Sequence, residues 1–511
     1  MDGDYNGSGD TINTVAEQHV IGIEPTTDEQ KYLEKILREI NTHSGDVQSK
    51  RDEYSKIRRY PQTFEERDML RHVWPSELSI GPIHGRSSSM MHRELKFNLV
   101  AKFVKTFVKD QKWESLLGEI KQNIQDLKKY FDEEVIREYN EAELAWELFL
   151  DGCSVLQFIA SYLLNELKEF GIDNRKASKI REDLFLLENQ IPFRVLQLLV
   201  KSTSEPSELR YGIAVFLLIN NIMAQVGGLY HHTVSDYAEG GLNLDLHPLH
   251  LLDFLHSVII FGNEILSNFV RDDNDPPLRN QQKNMSCLCP PLFDCFRRRR
   301  PFLKDYLREE LPVYSLKRFY FHERFFRGVR ELKSSGIEFY PSDGLASVYF
   351  SGKCFNVRGH LRLPPLIVDE WTEQKLINLA IYEKWLSGNY KKNWYFVTSY
   401  IKFMDFLVDG EQDVEELRAS RVLRNRLSND AEVANLFNNL GSNPYFEPPE
   451  DVYSNVKAQL KTHCERKCSI WMAQVYQQHF SSPWTIIALL AAAVLLSLTI
   501  IQTWYTIRPK Y

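Results

Sequence analysis

The sequence predicts a mainly α protein: a large helical-bundle-type body, a small antiparallel β element near 336–369 and one C-terminal transmembrane helix. Three observations carry this. Apolar residues recur at helical spacing from about Arg93 to Gly262, the period changes to two between Gly336 and Asp369, and Trp484 to Ile501 carries no charge.

Residues 1–26 are acidic and Gly-rich, with neither a basic nor an apolar block, and read as a disordered lead rather than a signal peptide. The body is expected over 27–480. Thr27-Asp-Glu-Gln30 has capping-box spacing and opens a short amphipathic helix through Leu33, Ile36, Leu37 and Ile40. Tyr60-Pro61 and Leu78-Ser-Ile-Gly-Pro-Ile-His-Gly85 read as a turn-rich entry segment. Helical pattern then continues, interrupted by polar loops near 171–176, 201–209 and 231–248.

The strongest helix runs from Glu143 to Leu164. Its polar residues Glu143, Glu147, Asp151, Ser154, Gln157 and Ser161 form one narrow stripe, so most of its circumference is predicted to be buried. Two further apolar runs, 183–190 and 192–200, are split by Glu188-Asn189-Gln190. Pro192 suits the first turn of the second run, with Gln190 or Ile191 at its cap. A polar loop spans 271–301. Between 336 and 369, alternation in Ile337/Phe339, Val348/Phe350, Phe355/Val357 and Leu361/Leu363, with Gly-containing turns between, predicts three or four short strands. Helices resume at Thr372 and continue to about Phe480.

The uncharged run of 18 residues is near the lower limit for crossing a hydrocarbon core of roughly 30 Å. Trp484 at one end and Trp504 and Tyr505 at the other match an interfacial aromatic belt, giving an expected span of 484–505 and a tail of 506–511. Its ten Leu, Ile and Val residues contribute roughly −3 to −6 kcal/mol toward insertion as an upper bound. An anchor so placed implies post-translational insertion and a cytosolic body. Seven scattered Cys agree, since they do not form a secreted disulfide framework. The membrane is thus one expected partner. The mild net charge of −7 gives no reason to expect nucleic acid.

Candidate chemistry is sparse. His231-His232-Thr-Val-Ser-Asp236 contains the His-x-x-x-Asp spacing in which a His base, here His232, is oriented by an Asp, here Asp236. Such a short pattern arises readily by chance, the second motif of the acyltransferases that use it (Asp-Phe-Gly-Trp-Gly) is missing, and a solvated loop is the simpler reading. His322-Glu323 begins like a zincin motif, but Phe326 stands where the second His is required, so zinc is rejected.

Cys287, Cys289 and Cys295 precede Arg297, Arg298, Arg299 and Arg300. This combination of thiols and charge is what an acylated, polybasic second membrane contact would use; a solvated loop is the plainer alternative. Cys464 and Cys468 lie before the span and read as structural more than acylated. Glu188, between apolar runs, reads as a group satisfying backbone where helices meet. No phosphate loop, nucleophile elbow or clustered metal ligands occur in the sequence, so neither cofactor nor metal is expected.

Several segments in order resemble the plant-specific domain-of-unknown-function 247 family. They are Leu78–Gly85, Leu150-Asp-Gly-Cys-Ser154, Asp183-Leu-Phe-Leu-Leu-Glu-Asn-Gln-Ile-Pro-Phe-Arg-Val-Leu196 and His250-Leu-Leu-Asp-Phe-Leu255. Leu363–Asp369, Asn378-Leu-Ala-Ile-Tyr-Glu383, Thr398–Asp405 and Pro483-Trp484 follow. Ile83 replaces the usual aromatic, and Arg194 interrupts a normally apolar stretch. The resemblance implies a membrane-anchored plant protein without established catalytic residues, some of whose relatives are linked to self-incompatibility in grasses. The expected function is recognition or signalling by contact with an unknown protein or peptide partner. The alternative is an acyl-transfer or hydrolytic enzyme using His232 and Asp236.

Overall fold

The structure, a computed structural model, describes residues 56–60, 72–85, 90–108, 113–223, 248–262, 264–270, 328–353, 358–386, 395–465 and 483–507. Among these the protein is mainly helical. The N-terminal half contains α1 (Met90–Phe103), α2 (Trp113–Gln122), α3 (Glu141–Leu163), α4 (Asn174–Asp183), α5 (Phe193–Lys201), α6 (Pro206–Asn220), α7 (Leu251–Phe261) and α8 (Glu264–Val270).

Helix α3 is the axis of this half, as its narrow polar stripe predicts. Asn140 and Glu143 close a capping box at its start. Its middle, Leu148 to Ile159, is buried, and α1, α2, α5 and α6 pack around it. Gly152 lets α5 approach: a Cβ there would lie 2.5 Å from Leu199 Cδ1 and 2.9 Å from Val195 Cγ1. The buried Asp151 on the stripe pairs with Lys96 of α1 at 2.5 Å. By length and composition α3 could cross a membrane, but most of it lies inside the body. Helix α5 begins one residue later than the sequence suggests. Pro192 is its cap, and the Phe193 N–H donates outward to the Leu249 carbonyl at 2.7 Å.

The second half starts with α9 (Val329–Ser334) and the strands β1 (Ile337–Pro341), β2 (Tyr349–Lys353) and β3 (Arg358–Leu363). The sheet order is β1-β3-β2. Strand β2 pairs antiparallel with β3, but β1 pairs parallel with it, Ile337 opposite Gly359. The expected antiparallel element is therefore a mixed sheet. Period-two alternation fixes which residues face the core but not the strand direction, and inserting β3 between β1 and β2 forces the parallel pair. A second small sheet joins β4 (Leu366–Val368) to β5 (Leu423–Asn425) in parallel, across more than fifty residues of chain.

Helices α10 (Thr372–Leu386), α11 (Phe396–Leu407), α12 (Glu411–Ala419), α13 (Asp430–Ser442) and α14 (Ser454–Glu465) complete the body. Helix α15 (Pro483–Ile507) contains the uncharged run; its 25 residues extend about 37 Å at the helical rise. Val494, Leu495, Leu496, Leu498, Ile500, Ile501 and Trp504 are all exposed, each more than half.

Residues 72–85 form a strap that ends in a single helical turn, Gly81–Gly85. Gly81 has φ +75°, and a Cβ there would stand 2.3 Å from the Gln190 carbonyl oxygen, a backbone atom that cannot swing aside. Gly81→Ala is expected to cost about 2–4 kcal/mol, the sum of left-handed strain and overpacking. Urea denaturation of the variant checks this, and an unchanged midpoint would contradict it.

Candidate functional site

The polar residues within the Asp183–Phe193 segment converge on the strap. The segment leaves α4 at Asp183 and reaches α5 at Phe193 without regular structure, so its backbone and that of the strap both need partners. Asp183 supplies the first. Its Oδ1 accepts the Ser76 N–H at 2.8 Å, and its Oδ2 accepts those of Glu77 and Leu78 at 2.7 and 2.8 Å. Asn189 Oδ1 accepts the Ile80 N–H at 2.6 Å, while its Nδ2 donates to the carbonyls of Leu78 and Asp183 at 2.9 and 2.7 Å. Asp151 Oδ2 accepts the Gly81 N–H at 2.7 Å. Glu188 accepts the Tyr60 N–H with one oxygen and lies 3.0 Å from His84 Nε2 with the other.

Gln190 turns inward instead. Its Nε2 donates to the carbonyls of Leu184 and Leu186 at 3.0 and 2.7 Å, and its Oε1 accepts the Leu252 N–H at 3.2 Å. The second half closes the arrangement through Asn378 of α10. Its Oδ1 accepts the Leu187 N–H at 2.8 Å, and its Nδ2 donates to the His72 carbonyl at the same distance. Every one of these side chains is buried. The expectation that Glu188, Asn189 and Gln190 satisfy backbone groups where helices meet is met.

A second buried cluster involves Glu383. Its carboxylate accepts the N–H groups of Val397 and Thr398 at 2.7 and 2.8 Å and the Thr398 hydroxyl at 2.7 Å, and it lies 2.9 Å from His256 Nε2. Both partners are sealed in the core, with His256 at 2% and Glu383 at 0% exposure, so this His–carboxylate pair caps α11 rather than facing a substrate. The sequence reading missed it. A carboxylate three residues before the end of α10 and a His in the middle of α7 have no local signature; only packing joins them.

Two strongly perturbed ionisable groups lie beside the residues that grip the strap. Burial, helped by the neighbouring Asp183, raises the Glu182 carboxyl to about 8. Burial also lowers the Lys375 ammonium to about 8, with Asp369 opposing the shift. Asp183 is likewise raised by burial, against the pull of its backbone hydrogen bonds. Glu182 Oε1 is buried without a hydrogen-bond partner. Arg181 Nε donates to Asn220 Oδ1 at 3.1 Å, and its guanidinium sits 5.2 Å from the Tyr162 ring centre. A shallow polar depression of about 430 Å³ lies elsewhere, between α9 and α12, lined by Arg330, Glu331, Ser334, Asp409 and Gln412.

His231, His232 and Asp236 lie outside the described residues, as do Cys287, Cys289, Cys295 and Arg297 to Arg300, and also Cys354, Cys468 and the His322–Phe326 stretch. Trp484, Trp504 and Tyr505 fall within α15. Cys464 is buried against Ser335, and burial pushes its thiol up to about 11; Cys153 is a buried free thiol in α3. Both are structural by surroundings. Among the described residues no group of three His, Cys, Asp or Glu is placed to hold a metal ion.

The model of a plant family of unknown function, domain of unknown function 247, matches residues 57–498. The chain belongs to this family. Two Arabidopsis thaliana proteins are similar to it along most of their length. UPF0481 protein At3g47200 is 24% identical over 442 residues, covering 84% of this chain and 81% of its own. Putative UPF0481 protein At3g02645 is 21% identical over 475 residues, covering 84% and 86%. No solved structure matches. The matched region begins at Ile57, the residue whose backbone bonds to Tyr130 and Asp132, so it takes in the strap and both halves of the body.

Removing Asn189 strands two carbonyls and one N–H in the core. Asn189→Ala is expected to destabilise the body by roughly 2–4 kcal/mol, more than an ordinary surface change. Chemical denaturation followed by tryptophan fluorescence measures it; a loss below about 0.5 kcal/mol would show that the strap is held by other means.

Proposed function

We propose that this is a membrane-anchored plant protein acting in recognition or signalling through protein–protein contact, with its body on the cytosolic side. The observation that carries the membrane part is α15. Val494, Leu495, Leu496, Leu498, Ile500, Ile501 and Trp504 are apolar and exposed over about three turns, and the 25-residue helix is long enough to span the hydrocarbon layer. In water such a surface would draw chains together; in lipid it is at rest. Thr499 and Thr503 return their hydroxyls to the carbonyls of Leu495 and Thr499 at 2.8 and 2.7 Å, which leaves no bare donor on the apolar surface at those positions.

The recognition part rests on how the family's polar residues are used. Asp183, Asn189, Gln190, Asn378 and Glu383 are spent on backbone groups inside the body. Asp183, Asn189 and Asn378 thereby fix the strap, which presents Trp74 at 55% exposure next to His84. Tryptophan held on a rigid backbone is a favoured anchor for protein contacts.

Alkaline carbonate extraction of membranes from cells producing the full chain tests the anchor. The protein is expected in the carbonate-resistant pellet, and Leu495→Arg with Leu498→Arg should release it, since each arginine costs about 2.5–3.5 kcal/mol at mid-span. A double variant that stays in the pellet, or a wild type that washes off, would overturn the assignment. Proximity labelling from a tag on the body in the same cells reports its side and its neighbours; labelling by lumenal or apoplastic reagents would reverse the orientation.

A further inference from the structure

The cluster beside the strap does more than support it. We propose that Glu182 and Lys375 form a proton-operated latch on residues 72–85, shut while Glu182 keeps its proton. Each adjoins a residue that grips the strap, and the two are close enough to interact electrostatically. Glu182 adjoins Asp183, which holds Ser76, Glu77 and Leu78. Lys375 lies between Gln374 and Asn378 of α10, and both of those side chains donate to the His72 carbonyl, at 3.4 and 2.8 Å. Glu182 and Lys375 are each more than nine-tenths buried, and Glu182 Oε1 is left without a hydrogen bond. A protein that needed only a static strap could place apolar groups here at lower cost.

The charges facing the pair come from every element around it. Helix α4 contributes Arg181 and Asp183, while its Lys179 pairs with Glu77 of the strap at 3.4 Å. Asp369 and Glu370 follow β4, and Arg426 follows β5. The acids and bases nearly balance. Burial therefore sets the response, disfavouring charge on both Glu182 and Lys375.

The direction follows from linkage. Glu182 titrates at about 8 with the strap closed, against an ordinary 4.5. An opened strap would let its carboxyl meet water and return toward the ordinary value, so closing takes up a proton between these limits. The closing strength from Glu182 is complete below the ordinary value and lost as the pH rises to about 8. Lys375 acts in the opposite sense. Lowered from 10.5 to about 8, it contributes fully above 10.5 and loses that contribution as the pH falls toward 8. The two limbs meet near pH 8, where the strap is held most weakly.

Hydrogen exchange read by mass spectrometry on the full chain in detergent micelles tests this. With intrinsic exchange rates corrected, opening at Ser76–Ile80 is expected to rise about tenfold or more between about pH 6 and about pH 8. The amides of Leu148–Ile159 in α3 should not follow. Glu182→Gln, which keeps the shape and removes the proton, should reduce the rise to less than about twofold. If that variant does not fold, Lys375→Met serves instead and should retain the acid-side rise, which belongs to Glu182. A flat profile in the wild-type chain overturns the latch. So does an undiminished rise in Glu182→Gln, a rise lost in Lys375→Met, or an equal rise in α3, which would report global loosening.

Discussion

The structure depends on one constraint: a strap without strands enters the interior from Leu78 onward, and its backbone groups must find partners against the body. Buried N–H and C=O groups left unpaired cost far more than a paired one contributes. Among the described residues no strand pairs with the strap. Side chains of Asp183, Asn189 and Asp151 do the pairing instead, each fixed on a neighbouring element. Two of these are carboxylates, which accept several N–H groups at once and make charge-assisted bonds stronger than neutral ones. Gly81 is then required where the chain turns against Gln190, and Lys96 is required to balance Asp151.

The same constraint joins the halves of the body. Asn378 lies almost two hundred residues beyond Leu187, yet it accepts the Leu187 N–H and donates to His72. Glu383, one and a half turns further along α10, fixes the start of α11 and meets His256 of α7. A single helix thus serves both clusters. Burial of charge there also shifts Glu182 upward and Lys375 downward, next to the residues that grip the strap.

Much of this was legible in the sequence, and the exceptions have physical causes. Helix α3 was readable because its polar stripe is local, although the helix, capped by Asn140, begins at Glu141, two residues before the expected start at Glu143. The purpose of Glu188-Asn189-Gln190 was readable as backbone satisfaction, since polar residues between apolar runs have few other uses. Its partners were not, because they lie about a hundred residues away and nothing in the strap marks it as a donor row. The alternation at Ile337/Phe339, Val348/Phe350 and Leu361/Leu363 marked β1, β2 and β3, Phe355 and Val357 lying outside the described residues, but the parallel β1–β3 pair and the distant β5 are matters of topology that period two does not encode. The ionisable pair was invisible for the same reason: nothing local to Glu182 or Lys375 marks either side chain for burial, which only the packing of α4 and α10 brings about.

If the buried polar residues act as one unit, their removal will not be additive. A double-mutant cycle on Asn189→Ala and Asn378→Ala, measured by urea denaturation of the full chain, tests this most directly. The account predicts that the double variant loses less than the sum of the singles by about 1 kcal/mol or more, because either change alone already loosens the strap. Losses that add to within about 0.3 kcal/mol would contradict it and would mean that the two halves of the body are held independently.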